Sequence, residues 1–189
     1  MRPDALTGGF ADAPVDAARA FRAALDALAR PGREQRLTGA LPPAPLSVAA
    51  GTLLLTLADG TTPVHLAPSH DGPDLRDWLT FHCGCPLVGA GDAVFAVGTW
   101  NALLPVDRFA IGTPDYPDRA ATLIVEVTAL EPPNARLTGP GIADLAALRV
   151  PDVAALATNR ARFPLGFDCF LTCGDSVAGL PRSTRVEAP

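Results

Sequence analysis

The sequence predicts an α/β fold, a mixed sheet flanked by helices, in a single domain spanning residues 1–189. Three observations predict it. An apolar stripe at helical spacing follows Pro14. The run ATLIVEV at 121–127 is almost continuously apolar, as a strand covered on both faces would be. Helical and strand-like segments then interleave along the chain, the pattern of a layered α/β protein.

Taken in order, residues 1–13 read as an arm or cap. A helix starts at Pro14, because proline suits a first turn whose N–H groups lack intrahelical partners. Val15, Ala18, Phe21, Leu25 and Leu28 mark its apolar face, and Pro31-Gly32 stops it. Residues 39–46 form a proline-rich linker. Leu46 to Ala58 predicts a second helix whose wide apolar face, including Leu53, Leu54 and Leu57, implies burial from more than one side. Pro63 to Ala67 is a short strand, and Leu75, Trp78 and Leu79 support a short helix. Ala93 to Gly98 and Ala135 to Thr138 are further strands. A helix opens at Pro151 and ends before Phe163-Pro164. Residues 167–173 and 176–180 are two strands joined at Gly174-Asp175.

Composition excludes several functions. The chain has 189 residues, a formal charge of −5, 17 glycines, 20 prolines and four cysteines. All 15 basic residues are arginine. Without lysine, no side chain can form a Schiff base with pyridoxal phosphate or a carbonyl substrate, and no Walker-type lysine can reach a phosphate. An acidic chain without a long basic run is not expected to bind nucleic acid. No apolar stretch approaches 18–20 residues, and the N-terminus lacks the apolar core of a signal peptide, so a cytoplasmic protein without membrane spans is expected.

Four constellations carry chemical potential. His82, Cys83 and Cys85 could join Cys169 and Cys173 around zinc, but C-x-C and C-x3-C are not structural-zinc spacings, and ordinary core cysteine is the simpler reading. A cysteine nucleophile beside His82, or Ser176 with Asp168 and a histidine, lacks a recognisable motif; no GxSxG elbow is present. LTGPGI at 137–142 could expose backbone N–H groups to phosphate, yet Pro140 removes one donor and a tight turn explains it better. PRSTR at 181–185 is the fourth. Arg182 and Arg185 can fork onto phosphate or carboxylate, with Ser183 and Thr184 adding hydroxyls and Arg160 and Arg162 as candidate neighbours. Its plain alternative is a solvated, salt-bridged edge.

Seven segments, in order, resemble one family: FRAALDALARPG (21–32), LLLTLADGTTPVHL (53–66), LTFHCGCPLV (79–88), IGTPDYPDRAATLIVEV (111–127), LTGPGI (137–142), FPLGFDCFLTCG (163–174) and LPRSTRV (180–186). The chain resembles the H subunits of the bacterial carbon–phosphorus lyase core complex. That resemblance implies a fold shaped like the pyridoxal-phosphate-dependent transferases but with no pyridoxal phosphate, and no cofactor of any kind. It implies a homodimer that joins G, I and J subunits and works with an ATPase-like L subunit. The assembly transfers the ribose triphosphate of ATP to methylphosphonate and releases adenine. The nucleosidase-like step is assigned to the I subunit, so a required, non-catalytic partner is expected, with no catalytic residue and no metal. The alternative is a direct phosphonate- or nucleotide-binding role. For either reading the candidate phosphate-binding or interface residues are Arg182, Ser183, Thr184, Arg185 and His82.

Overall fold

The computed structural model describes residues 6–189. The first helix, α1, runs Ala13–Ala29, followed by strand β1 at Glu34–Arg36. Helix α2 is Val48–Leu57 and strand β2 is Val64–Leu66. Helix α3 is Pro73–His82, strand β3 Phe95–Thr99, and the single turn α4 Trp100–Leu103. Strands β4 at Thr122–Glu126, β5 at Ala135–Thr138 and β6 at Ala146–Leu148 come next. Helix α5 is Val153–Ala161, and the chain ends on β7 at Asp168–Cys173, β8 at Ser176–Leu180 and β9 at Arg185–Glu187.

Six strands form one mixed sheet in the order β1-β8-β7-β4-β3-β2. Strands β2, β3, β4 and β7 run parallel, β8 returns antiparallel to β7, and β1 pairs antiparallel with β8 and so runs with the parallel set. A small antiparallel sheet, β6-β5-β9, lies beside it. Strand β4 is interior, as its apolar run predicts. Ile124 joins the core under α1, α2 and α3, whereas Leu123 and Val125 join the core on the other face, with α5 and the small sheet. Alternation along the strand thus feeds two cores at once. Among the described residues no helix is long and apolar enough to cross a membrane.

The packing decides which side of α1 meets the sheet. The stripe Val15, Phe21, Leu25 is real, but it faces outward: these side chains are 41%, 53% and 57% exposed. Helix α1 seats on Ala20, Ala24 and Ala27 instead, with Leu28 packed at the margin. The reason is proximity. A Cβ placed on Gly179 of β8 would lie 2.5 Å from the Ala27 carbonyl carbon and oxygen. A helix this close to a sheet has room for methyl groups only.

The described part of the N-terminal segment docks on the fold as a cap does. Residues 1–5 of that segment lie outside the described residues. The Thr7 carbonyl accepts the Trp78 indole N–H at 3.0 Å, and the Gly8 carbonyl accepts the Leu41 N–H at 2.8 Å. Strands β1, β6 and β9 have only three residues each, too short to show a period of two in the sequence.

Candidate functional site

The PRSTR segment leaves β8, turns through a Thr184 N–H bond to the Pro181 carbonyl at 2.9 Å, and enters β9. Arg182 points inward. Its guanidinium donates to the carbonyls of Pro117 at 2.6 Å and Gly166 at 2.8 Å, and meets the Asp168 carboxylate at 3.2 Å. Its own backbone N–H bonds the other Asp168 oxygen at 2.8 Å. Asp168 opens β7, so this one side chain ties three separate chain segments together. The donors that could fork onto an anion are largely committed within the chain.

The remaining PRSTR residues divide between inside and outside. The Ser183 carbonyl accepts Arg160 Nε at 3.0 Å. Thr184 is buried, and its hydroxyl has no hydrogen-bond partner. Arg185 is exposed on β9, where it shares a shallow hollow of about 320 Å³ with Arg160 of α5 and Glu187. Arg160 also stacks over the Phe163 ring at 4.8 Å. Arg160 and Arg185 therefore meet at one surface hollow.

His82 sits elsewhere. It ends α3, with Nε2 toward the Thr7 carbonyl at 3.2 Å and its ring between Trp78 and Phe81 at 5.0 and 4.9 Å. Helix α3 packs into the core on one face of the large sheet, whereas Leu180 and Val186, which flank PRSTR, belong to the core on the other. The cysteines are separated in the same way. Cys85 lies in the first core and Cys169 in the second. Burial pushes the Cys169 thiol well above its ordinary range. The Cys83 thiol is raised because it donates its hydrogen bond to Cys85, and by burial. Among the described residues no group of three or more His, Cys, Asp or Glu is placed to hold a metal. LTGPGI is a turn pressed on the end of α1: a Cβ on Gly141, at φ +83°, would lie 2.0 Å from the Ala29 carbonyl oxygen.

A second hollow, not singled out by sequence reasoning, opens beyond the carboxyl ends of β3 and β4. It holds about 340 Å³ and is lined by Thr99, Asn101, Glu126, Thr128, Asn134 and Arg149. Ligands of open parallel sheets favour this side of the fold. Glu126 ends β4 and accepts the Ser47 N–H at 2.7 Å, and burial raises its carboxyl above the usual range. Asn134 spends its amide on both backbone groups of Val150. Beside this edge the His70 Nδ1 pairs with Ser69 Oγ at 2.9 Å, and burial lowers its pKa. The one sequence signal for this hollow is a carboxylate closing an otherwise apolar strand. Among the described residues that line either hollow, none is a cysteine, serine or histidine.

Comparison with known proteins supplies what the geometry does not. Residues 8–187 match the family described as bacterial phosphonate metabolism protein (PhnH). The chain belongs to the PhnH family. It is 43% identical over 190 residues to the alpha-D-ribose 1-methylphosphonate 5-triphosphate synthase subunit PhnH of Rhizobium meliloti (strain 1021), covering 96% of this chain and 95% of that protein. It is 32% identical over 199 residues to the putative C-P lyase subunit protein HtxG of Stutzerimonas stutzeri, covering 95% of each. The PhnH match begins in the arm and ends in β9, so both hollows and the PRSTR segment lie inside it.

Proposed function

We propose that this chain is an accessory, non-catalytic subunit of alpha-D-ribose 1-methylphosphonate 5-triphosphate synthase, acting in organic phosphonate catabolism. One observation carries the reading: the near full-length match to a relative that bears that subunit's name. The chemistry agrees with it. Displacing a purine from ribose calls for an acid near the base and stabilisation of a cationic sugar. The Glu126 carboxyl lines the second hollow, and one of its oxygens serves the fold by holding the Ser47 N–H at the start of α2. Under this reading the chain is a single cytoplasmic domain with the outline of the pyridoxal-phosphate-dependent transferases and no cofactor. It pairs as a homodimer, joins G, I and J subunits, and works with the ATPase-like L subunit.

The test is reconstitution. The complete set of subunits should release adenine from ATP in the presence of methylphosphonate, and the set lacking this chain should not. This chain alone should release none. Adenine release by the isolated chain would overturn the non-catalytic reading, and full activity without the chain would overturn the accessory one.

A second reading is favoured by one observation, the meeting of Arg160 and Arg185 in one hollow. Two guanidinium groups there could hold a phosphate or phosphonate oxygen set, with Arg182, Ser183 and Thr184 shaping the loop. His82, beside the exposed Phe81, would serve as a contact point for another subunit. Replacing Arg160 and Arg185 by serine separates the two readings: lost adenine release in a normally assembled complex supports direct binding, and unchanged release removes it.

A further inference from the structure

The outward face of α1 is built like half of an interface. Large apolar side chains normally lie inside, and scattered exposed ones need no explanation. Here they are not scattered. Val15, Phe21 and Leu25 lie on one side of a 17-residue helix whose inward side is alanine. Two open grooves run along it. One of about 490 Å³ follows Pro14, Val15 and Ala18, and one of about 520 Å³ follows Ala23, Leu25 and Asp26. Both are also lined by Arg19 and Arg22.

Charge decides what fits. Asp26 is taken up by Arg30 and Gln35. Neither Arg19 nor Arg22 has an ion pair among the described residues. The face therefore offers an apolar stripe with uncompensated positive charge at its centre. A second copy does not suit it: a two-fold pairing centred between Val15 and Leu25 would set Arg19 and Arg22 against their own counterparts, bringing four cations together. An anionic membrane surface does not suit the chain, whose formal charge is −5.

We infer that the outward face of α1 is the docking site for an amphipathic helix of a different protein, one whose apolar ridge is flanked by carboxylates. Phe21 and Leu25 fill the spaces between that helix's i, i+3 and i+4 side chains, and Arg19 and Arg22 pair with its acidic flank. Buried aromatic and arginine side chains are the usual energetic centres of such contacts. The inference rests on the subunit reading above, because it takes the partner from the other subunits of the complex. The homodimer contact then lies on another face.

The experiment co-expresses the chain with the proposed G, I and J subunits and measures particle mass by light-scattering chromatography and affinity by titration. Three forms are compared: the native chain, Phe21→Ser/Leu25→Ser, and Arg19→Glu/Arg22→Glu. Because all four side chains leave the core untouched, circular dichroism and Tm of the isolated variants should match the native chain. Both variants should lose roughly tenfold or more in affinity. The native affinity should fall with salt, and that of the arginine variant should fall less. Variants that assemble like the native chain overturn the docking site and leave the subunit reading standing. Variants that assemble normally but lose only the homodimer show a second copy on this face and overturn the inference. Native protein that sediments with anionic phospholipid vesicles through this face, a binding lost in the variants, overturns it in favour of a membrane surface. A native chain that joins none of the partners overturns the subunit reading and this site together.

Discussion

Helices α1 and α2 pack against each other on the same face of the large sheet, and they use it in opposite ways. Helix α2 is ten residues long and buries Ala49 through Leu54 without a break. Helix α1 is longer, buries three alanines and turns its large apolar residues to solvent. A helix apolar all round is a core element, and an amphipathic one ordinarily hides its large residues. Helix α1 has two apolar faces, a small-residue face for the sheet and a large-residue face for a partner. Helical periodicity locates a stripe but not the side of the helix that meets the sheet. The size of the residues against the neighbouring strand settles that, and the deciding neighbour, Gly179, lies far along the chain.

The contrast is most sharply tested by matched truncations of a leucine in each helix. Leu53 in α2 is fully buried. Leu53→Ala should cost about 2–5 kcal/mol in urea unfolding, the range for emptying a core leucine site. Leu25→Ala, more than half exposed, should change stability by no more than about 0.5 kcal/mol. Equal costs would mean that Leu25 is buried in the folded chain in solution, and the division between the two helices would fail.

Next in size is the contact that forces α1 onto its alanines. Gly179→Ala puts a methyl group where the Ala27 carbonyl already stands, 2.5 Å away. The clash involves backbone on both sides, so it cannot be relieved by a side-chain rotation. Overpacking of this kind costs about 1–3 kcal/mol. Thermal unfolding should show the loss. A Tm equal to that of the native chain would show that α1 stands further from β8 than the packing described here.

Particular residues show what was legible in advance. Strand β4 declared itself, because seven consecutive residues from Ala121 to Val127 carry only one charge and sit between parallel neighbours. Strands β7 and β8 did so through their glycine turn, and α2 through its lack of a polar face. Arg182 was legible as a strong donor, but not its partners. Pro117, Gly166 and Asp168 come from two other chain segments, and nothing local to PRSTR encodes them. The separation of His82 from PRSTR was hidden for the same reason: face assignment depends on the whole strand order. The hollow beyond β3 and β4 left only Glu126 as a trace.

The smallest expected effect concerns how the two helices begin. In each, a carboxylate accepts the backbone N–H of the capping residue. In α1 the acceptor is local, Asp16 for Asp12 at 3.0 Å on an exposed surface. In α2 it is Glu126 of β4 for Ser47 at 2.7 Å, a bond that fastens the helix to the sheet across 79 residues of sequence. Ser47 in turn caps Ala50. Burial raises the Glu126 carboxyl above its ordinary 4.5. The folded chain therefore holds that proton more tightly than the unfolded chain does. The associated stability is fully present below pH 4.5 and is lost as pH rises through the folded value. Glu126→Gln keeps an oxygen for the Ser47 N–H and removes the charge. Its Tm should gain on that of the native chain as pH is raised from 4 toward 7, and the gap should close on acidification. Native and Glu126→Gln curves that run parallel across this range would show that the anchorage of α2 carries no buried charge.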